Sequence, residues 1–292
     1  MKIAILGAAG NMGGWLIRYF SKLGHTLIAF DPNIKELSSF PDVEITDDCR
    51  SAVSNAELVI VTVPMELTAE VINDVAPFMK KNAILCEIAS VKTRVIEALR
   101  VLPEHSVRPL SIHPLFGPGA KSLNKRIAVI PLLDQKQEKQ LVETLFPDSE
   151  VIVVDAEQHD RIMAVTLSLP YFVNMAVAAV LKKEDITVLK QLSGTTFALQ
   201  LILAASIMSH SSEFHVALQN ENAHTLSILN EFLVSVELGI KQLTDNATES
   251  FEQSYNEIKE TFGKGVNLQE KYEEMYRILE VLQTSPRMEL DP

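Results

Sequence analysis

The chain has 292 residues, 47% hydrophobic and 22% charged, which is enough for two domains with ample apolar material for a core. Its 26 basic and 38 acidic side chains give a net charge of −12, which argues against a nucleic-acid or membrane partner; an anionic small molecule needs local cations set against that field. The two cysteines, Cys49 and Cys86, form neither a disulfide framework nor a zinc pattern, and glycines interrupt the N-terminal apolar run before it resembles a signal peptide, so a cytoplasmic setting is expected.

Lys2–Leu6 is a short apolar run ending in glycine, as a buried parallel strand does. Trp15, Leu16, Tyr19, Phe20 and Leu23 then recur at helical spacing, and Gly24 closes that helix. Further strands are predicted at Leu27–Phe30, Leu58–Val63, Ala83–Ile88, Val107–Ile112, Ile127–Ile130 and Val151–Val154. Helices are predicted between them at Thr68–Lys80, Thr93–Leu102 and Gln135–Leu145. This alternation implies an α/β, Rossmann-like, doubly wound and mainly parallel sheet. After Ala156 strand-like runs stop. Helical patterns occupy His159–Leu181, Thr187–Leu192, Phe197–Met208, Glu213–Leu243 and two amphipathic stretches separated by Gly263-Lys264-Gly265. The predicted domains are therefore residues 1–156 and an all-α part, residues 157–292. The apolar run Val165–Leu181 is slightly short for a bilayer and reads as a buried core helix.

Gly7-Ala8-Ala9-Gly10-Asn11-Met12-Gly13 joins the first strand to the first helix. Glycines there let the backbone approach a pyrophosphate, and the helix N-terminus offers free N–H groups. Ala9 stands where the common G-x-G-x-x-G pattern has its second glycine, so the strand-before, helix-after context carries the assignment. Gly7, Ala9, Gly10, Asn11 and Met12 are the expected dinucleotide contacts. Asp31 ends the second strand, and its carboxylate suits ribose hydroxyls while repelling a 2′-phosphate, which favours NAD over NADP. The competing role for Asp31 is to open an Asp-Pro-Asn turn.

Two more segments follow strands of this half: Glu87-Ile88-Ala89-Ser90-Val91-Lys92 and Ser111-Ile112-His113-Pro114-Leu115-Phe116-Gly117-Pro118. Together with the glycine loop, Thr62-Val63-Pro64, His159-Asp160, Gly194-Thr195-Thr196-Phe197 and Glu213–Asn222, they closely resemble the prephenate dehydrogenase family of tyrosine biosynthesis. The resemblance implies an NAD(P)-binding α/β domain followed by a helical dimerisation domain. It adds Thr62, Val63 and Pro64 to the cofactor contacts and implies a homodimer acting on an anionic ring acid, prephenate or arogenate. In that chemistry hydride leaves the ring carbon bearing the hydroxyl, and loss of CO2 then makes the ring aromatic. His113 matches the family's catalytic histidine, a residue type suited to taking the hydroxyl proton near neutral pH. Ser90 matches the serine that bonds the same hydroxyl or orients the histidine, and it could also cap the following helix. Lys92, Lys121, His159 and Tyr171 are candidates for substrate contact.

Two positions depart from the family pattern. Ala198 stands where relatives carry an arginine for a substrate carboxylate, and Tyr171 stands where they commonly carry histidine. Arg161, Lys125 or Arg126 could supply the missing cation, or the substrate could be a related ring or hydroxy acid. A dinucleotide-binding sensor without turnover is the alternative from another class, and it has no chemical need for Ser90 and His113. No metal is expected, because His210, Glu213 and His215 do not share one helical face.

Overall fold

The computed structural model describes residues 1–33, 40, 42–120 and 125–284. Its strands are β1 (Lys2–Leu6), β2 (Thr26–Phe30), β3 (Glu44–Thr46), β4 (Leu58–Val61), β5 (Ile84–Glu87), β6 (Arg108–Pro114), β7 (Lys125–Val129) and β8 (Ser149–Val153). They form one eight-stranded sheet in the order β3-β2-β1-β4-β5-β6-β7-β8. The strands from β3 across to β6 run parallel, β7 is antiparallel to β6, and β8 is parallel to β7. β1 pairs with β2 on one side and β4 on the other, so the strand order reverses at the carboxyl end of β1, where such sheets bind ligands.

Strand alternation sends side chains to two cores. Ile3 and Ile5 pack with Leu16, Ile17 and Phe20 of α1 (Asn11–Lys22) and, farther along, with Val142 and Leu145. Ala4 and Leu6 face the opposite core, which contains Val53, Ile72 and Leu99. Those three lie on α2 (Cys49–Ser54), α3 (Thr68–Val75) and α4 (Val95–Arg100), and α5 (Gln135–Leu145) carries Val142 and Leu145. Helices thus cover both faces, as the strand-helix alternation implies. β3 and α2 escaped the sequence reading. β3 is only three residues long with no apolar run, and α2 is defined by its cap, the Asp48 carboxylate accepting from the N–H groups of Arg50 and Ser51.

The helical half comprises α6 (Ala156–Met163), a π-helical turn at Ala164–Ser168, α7 (Leu169–Leu181), α8 (Ile186–Leu192), α9 (Thr195–Met208), α10 (Ser212–Glu221), α11 (Thr225–Thr244), α12 (Thr248–Gly263) and α13 (Leu268–Thr284). The chain makes two compact units, drawn differently from a cut at residue 156. The first is Met1–Ser168 with Ser212–Thr225; the second is Leu169–Ser211 with the chain from Leu226 onward. α6 belongs with the sheet because it buries His159, Asp160 and Met163, and Asn222, at the end of α10, donates its side-chain N–H to the Asp160 carbonyl at 2.7 Å. The single helix expected over Glu213–Leu243 is in fact two. Asn222 ends α10 by accepting the His224 N–H on its side chain and the Thr225 N–H on its carbonyl, which restarts the helix at Thr225.

In the second unit α7 packs on α9, where Gln200 donates to Asn174 at 2.7 Å, and Gln242 of α11 donates to Ser250 and Ser254 of α12. The expectation of a buried core helix at Val165–Leu181 is corrected: within one chain Val165, Met175 and Val180 are exposed by 46%, 40% and 66%. An apolar run identifies a face that must leave water, and one copy of the chain does not cover this one. The continuous helix Ala156–Leu181 is long and apolar enough to cross a membrane. Its first two turns, however, hold the buried and hydrogen-bonded His159 and Asp160, as a helix packed in protein does.

Candidate active site

Each turn at the carboxyl edge of the first unit's sheet has a local reason for its shape. Gly7 has φ +85°, and a Cβ there would lie 2.9 Å from the Thr62 carbonyl group and the Val63 nitrogen. A Cβ on Gly13 would collide with the Gly7 carbonyl, so the G-x-x-G-x-x-G spacing is what lets α1 start against β1. Thr62 fastens this loop from the neighbouring strand, its hydroxyl donating to the carbonyls of Leu6 and Gly7 at 2.9 Å each. Val63 and Pro64 follow at the same edge, and the Pro64 carbonyl accepts from the Thr68 hydroxyl at 3.2 Å. The first turn of α1, with Asn11 and Met12, has neither a side-chain cap nor an acidic residue, so its N–H groups and positive dipole are open to an anion.

Asp31 is nearly buried at the end of β2. Its carboxylate accepts the Ala9 N–H at 3.1 Å and the Asn33 N–H at 2.8 Å. It therefore both opens the Asp-Pro-Asn turn and holds Ala9, leaving a further lone pair on each oxygen for ribose hydroxyls.

His113 sits near the end of β6 and is buried. Its Nδ1 lies 3.0 Å from Nε2 of His159, whose own Nδ1 lies 2.8 Å from the Asp160 carboxylate. Asp160 is held in turn by the N–H groups of Lys92 (2.9 and 3.1 Å) and Thr93 (2.8 Å) and by the Thr93 hydroxyl (2.6 Å). Burial opposes ionisation of Asp160, but the hydrogen bonds from His159, Thr93 and Lys92 outweigh it and hold its carboxyl below the usual range. His113 is also lowered, well below the ordinary 6.5, first by burial and then by the positive charge of Lys92 and by His159, so here it is the charged form that is disfavoured.

A carboxylate only accepts, so His159 Nδ1 donates to Asp160. The donor between His113 Nδ1 and His159 Nε2 is set by the tautomer; in the one in which His113 Nδ1–H donates, its Nε2 lone pair is left to take a proton.

Other sequence candidates fall as follows. Ser90 is half-buried in the turn after β5, which the Glu87 carboxylate shapes by accepting the Ala89 N–H at 2.7 Å. It is not a helix cap: Arg94 occupies the N-cap position of α4, with no side-chain bond. Lys92 is fully buried. Its ammonium donates to Glu87 and to the Ile112 carbonyl, both at 2.7 Å, which corrects its expected role as a cation open to substrate. Both ring nitrogens of His159 are engaged, by His113 and by Asp160. Tyr171 belongs to the second unit, where its hydroxyl lies 3.3 Å from His210 Nε2. Lys121 lies outside the described residues. Among the alternative cations, Lys125 is paired with Asp148, while Arg126 and Arg161 are exposed. No group of three or more metal-ligating side chains occurs among the described residues. No role was read from sequence for Asp160, Thr93 or Glu87; the bonds from Thr93 and Lys92 to Asp160 span 67 and 68 residues, and Glu87 and Lys92 read as solvated charges until both are seen to be buried.

Known proteins resemble this chain in sequence and in fold. Residues 18–146 fit the family model of the prephenate dehydrogenase nucleotide-binding domain, and residues 155–257 fit that of the prephenate dehydrogenase dimerization domain. A probable arogenate/prephenate dehydrogenase of Methanocaldococcus jannaschii is 24% identical over 273 residues, covering 90% of this chain; the chain spans 61% of that relative's length. Among solved structures, the prephenate dehydrogenase of A. aeolicus in complex with hydroxyphenyl propionate and NAD+ superposes with a TM-score of 0.72 at 18% identity, over 91% of this chain and 98% of its own. Synechocystis arogenate dehydrogenase superposes with a TM-score of 0.67 at 20% identity, over 91% of this chain and all of its own. With the two family models matching residues 18–146 and 155–257 in order, the chain belongs to the prephenate dehydrogenase family.

Proposed function

We propose that this chain oxidatively decarboxylates prephenate or its amino-acid counterpart arogenate, giving 4-hydroxyphenylpyruvate or tyrosine. The observation that carries the reading is the buried Asp160–His159–His113 chain, which ends in a neutral imidazole at the sheet edge that also bears the glycine loop. The glycine cradle and the uncapped start of α1 fit a dinucleotide, with Gly7, Ala9, Gly10, Asn11, Met12, Thr62, Val63 and Pro64 around it. Asp31 favours NAD over NADP, because its carboxylate accepts ribose hydroxyls and repels a 2′-phosphate. Bound there, a nicotinamide dinucleotide supplies the hydride acceptor.

The chain's own work is to handle one proton. His113 Nε2 accepts it from the ring hydroxyl as the C–O bond becomes a carbonyl, with Ser90 hydrogen-bonding the same oxygen. Asp160 and His159 keep the His113 lone pair pointed outward. Loss of CO2 leaves the C–C electron pair in the ring, and aromatisation drives that step without a further acid or base. The second unit leaves apolar side chains exposed on several helices, Leu203, Leu233, Val234 and Ile240 among them. These faces and the dimerization-domain match support a homodimer formed through that unit.

Replacing His113 by Asn keeps a hydrogen-bonding side chain of similar reach but removes the base. Turnover is expected to fall by about 100-fold or more, with NAD affinity measured by calorimetry nearly unchanged. Unchanged turnover would remove His113 from the mechanism.

A further inference from the structure

Beneath His113 lies an ion pair that no step above uses. Glu87, the last residue of β5, and Lys92, five residues on, are both fully buried and joined at 2.7 Å. Glu87 stands opposite Ser111 in the parallel register of β5 and β6, and the Ser111 hydroxyl donates to it. Its other carboxylate oxygen takes the Ala89 N–H at 2.7 Å, which fixes the turn carrying Ser90. The Lys92 ammonium donates to the Ile112 carbonyl, the peptide unit that leads into His113, and the Lys92 backbone N–H donates to Asp160. One pair of side chains therefore reaches the strand bearing His113, the turn bearing Ser90 and, through its own backbone, the far end of the imidazole chain.

Burying two charges costs more than a hydrophobic pair of the same volume in many folds, so such a pair is weak support for stability and points to another use. We propose that the Glu87–Lys92 pair is a positioning device for His113, holding its strand and the Ser90 turn in register while setting a positive charge behind the imidazole. This rests on His113 being the proton acceptor. Among the described residues, Lys92 from the turn after β5 and His159 from α6 act on the charge of the ring, Lys92 being paired with Glu87 and His159 with Asp160. Of these, the Lys92 charge opposes protonation of His113, and burial acts in the same direction.

The test compares the wild-type protein with Lys92→Met, the volume-matched neutral pair E87Q/K92M, and H113N. The readouts are the pH dependence of kcat/KM with prephenate and NAD, and histidine ring 15N chemical shifts against pH, with His113 assigned by its absence in H113N. Removing the Lys92 charge is expected to move both the acid limb of kcat/KM and the His113 titration upward by about one pH unit, with NAD binding retained. If Lys92→Met does not fold by circular dichroism, E87Q/K92M, which removes the Lys92 charge together with its counter-charge, is expected to move both upward by a smaller amount. Folded variants whose acid limb and titration stay in place overturn the proposal, as does a rise in substrate KM without any pH shift, which would make Lys92 a substrate cation. A wild-type His113 that titrates near 6.5 overturns it even if neither variant folds. Failure of the base reading itself is distinct: it shows as full turnover in H113N, whatever the Lys92 variants do.

Discussion

In the proposed mechanism His113 offers its Nε2 lone pair, in the tautomer in which hydrogen bonds run from His113 through His159 to Asp160, which as a carboxylate only accepts. The pH behaviour follows from this arrangement. The folded-state pKa of His113 lies below its ordinary 6.5, so the ring is already neutral through neutral pH. kcat/KM is therefore expected to hold its plateau through pH 6.5 and to fall with unit slope only at more acid pH, as Nε2 takes up a proton. Stability has the same sign. Between the two pKa values the unfolded chain binds the extra proton, so the folded state loses stability as pH falls below 6.5. A stopped-assay pH profile with parallel urea melts checks both, and an acid limb at or above pH 7 would contradict the assignment. Of this site, the glycine loop and Asp31 were legible in the sequence because each lies at the end of a strand that is itself legible, whereas Ser90 and His113 were singled out by the family resemblance. The roles of Asp160 and of the buried Lys92 were not legible. A lysine in sequence reads as a solvated cation until a partner such as Glu87 is shown to be buried beside it.

Among the elements, the loop from β1 to α1 shows why glycine spacing carries information beyond a motif match. Gly7 needs its positive φ, and Gly13 needs the absence of a Cβ against the Gly7 carbonyl. Gly7→Ala is expected to cost roughly 2–4 kcal/mol of unfolding free energy and to weaken dinucleotide binding, whereas Gly24→Ala, with open space around its Cβ, loses only its left-handed backbone preference. Denaturant melts of the two variants measure the difference, and equal losses would refute the crowding argument. The strands and the helix Gln135–Leu145 were legible because buried parallel strands are continuous apolar runs and α5 has a clear period and an Asp134 cap. The break between α10 and α11 was not legible. It depends on the side chain of Asn222 bonding both back to Asp160 and forward to His224, and helical periodicity continues unbroken through it.

For the whole molecule, net charge and apolar surface point to different partners. A charge of −12 disfavours polyanions, while exposed Leu203, Leu233, Val234, Ile240 and Ile258 mark faces of the helical unit that gain by being covered. Sedimentation equilibrium is expected to give a mass near twice the 32.4 kDa of one chain, and a monomer at micromolar concentration would contradict the dimer. The extent of this apolar surface could not be read from periodicity, which marks the apolar face of a helix without saying whether its own chain or another covers it.

The central claim is that this chain moves hydride from a ring acid to a nicotinamide while His113 takes the proton. The most direct measurement follows absorbance at 340 nm with prephenate or arogenate and NAD or NADP in separate reactions. Saturable reduction of NAD by one of the two ring acids, weaker with NADP, is the predicted result. Absence of reduction in every combination, with NAD still binding, would contradict it.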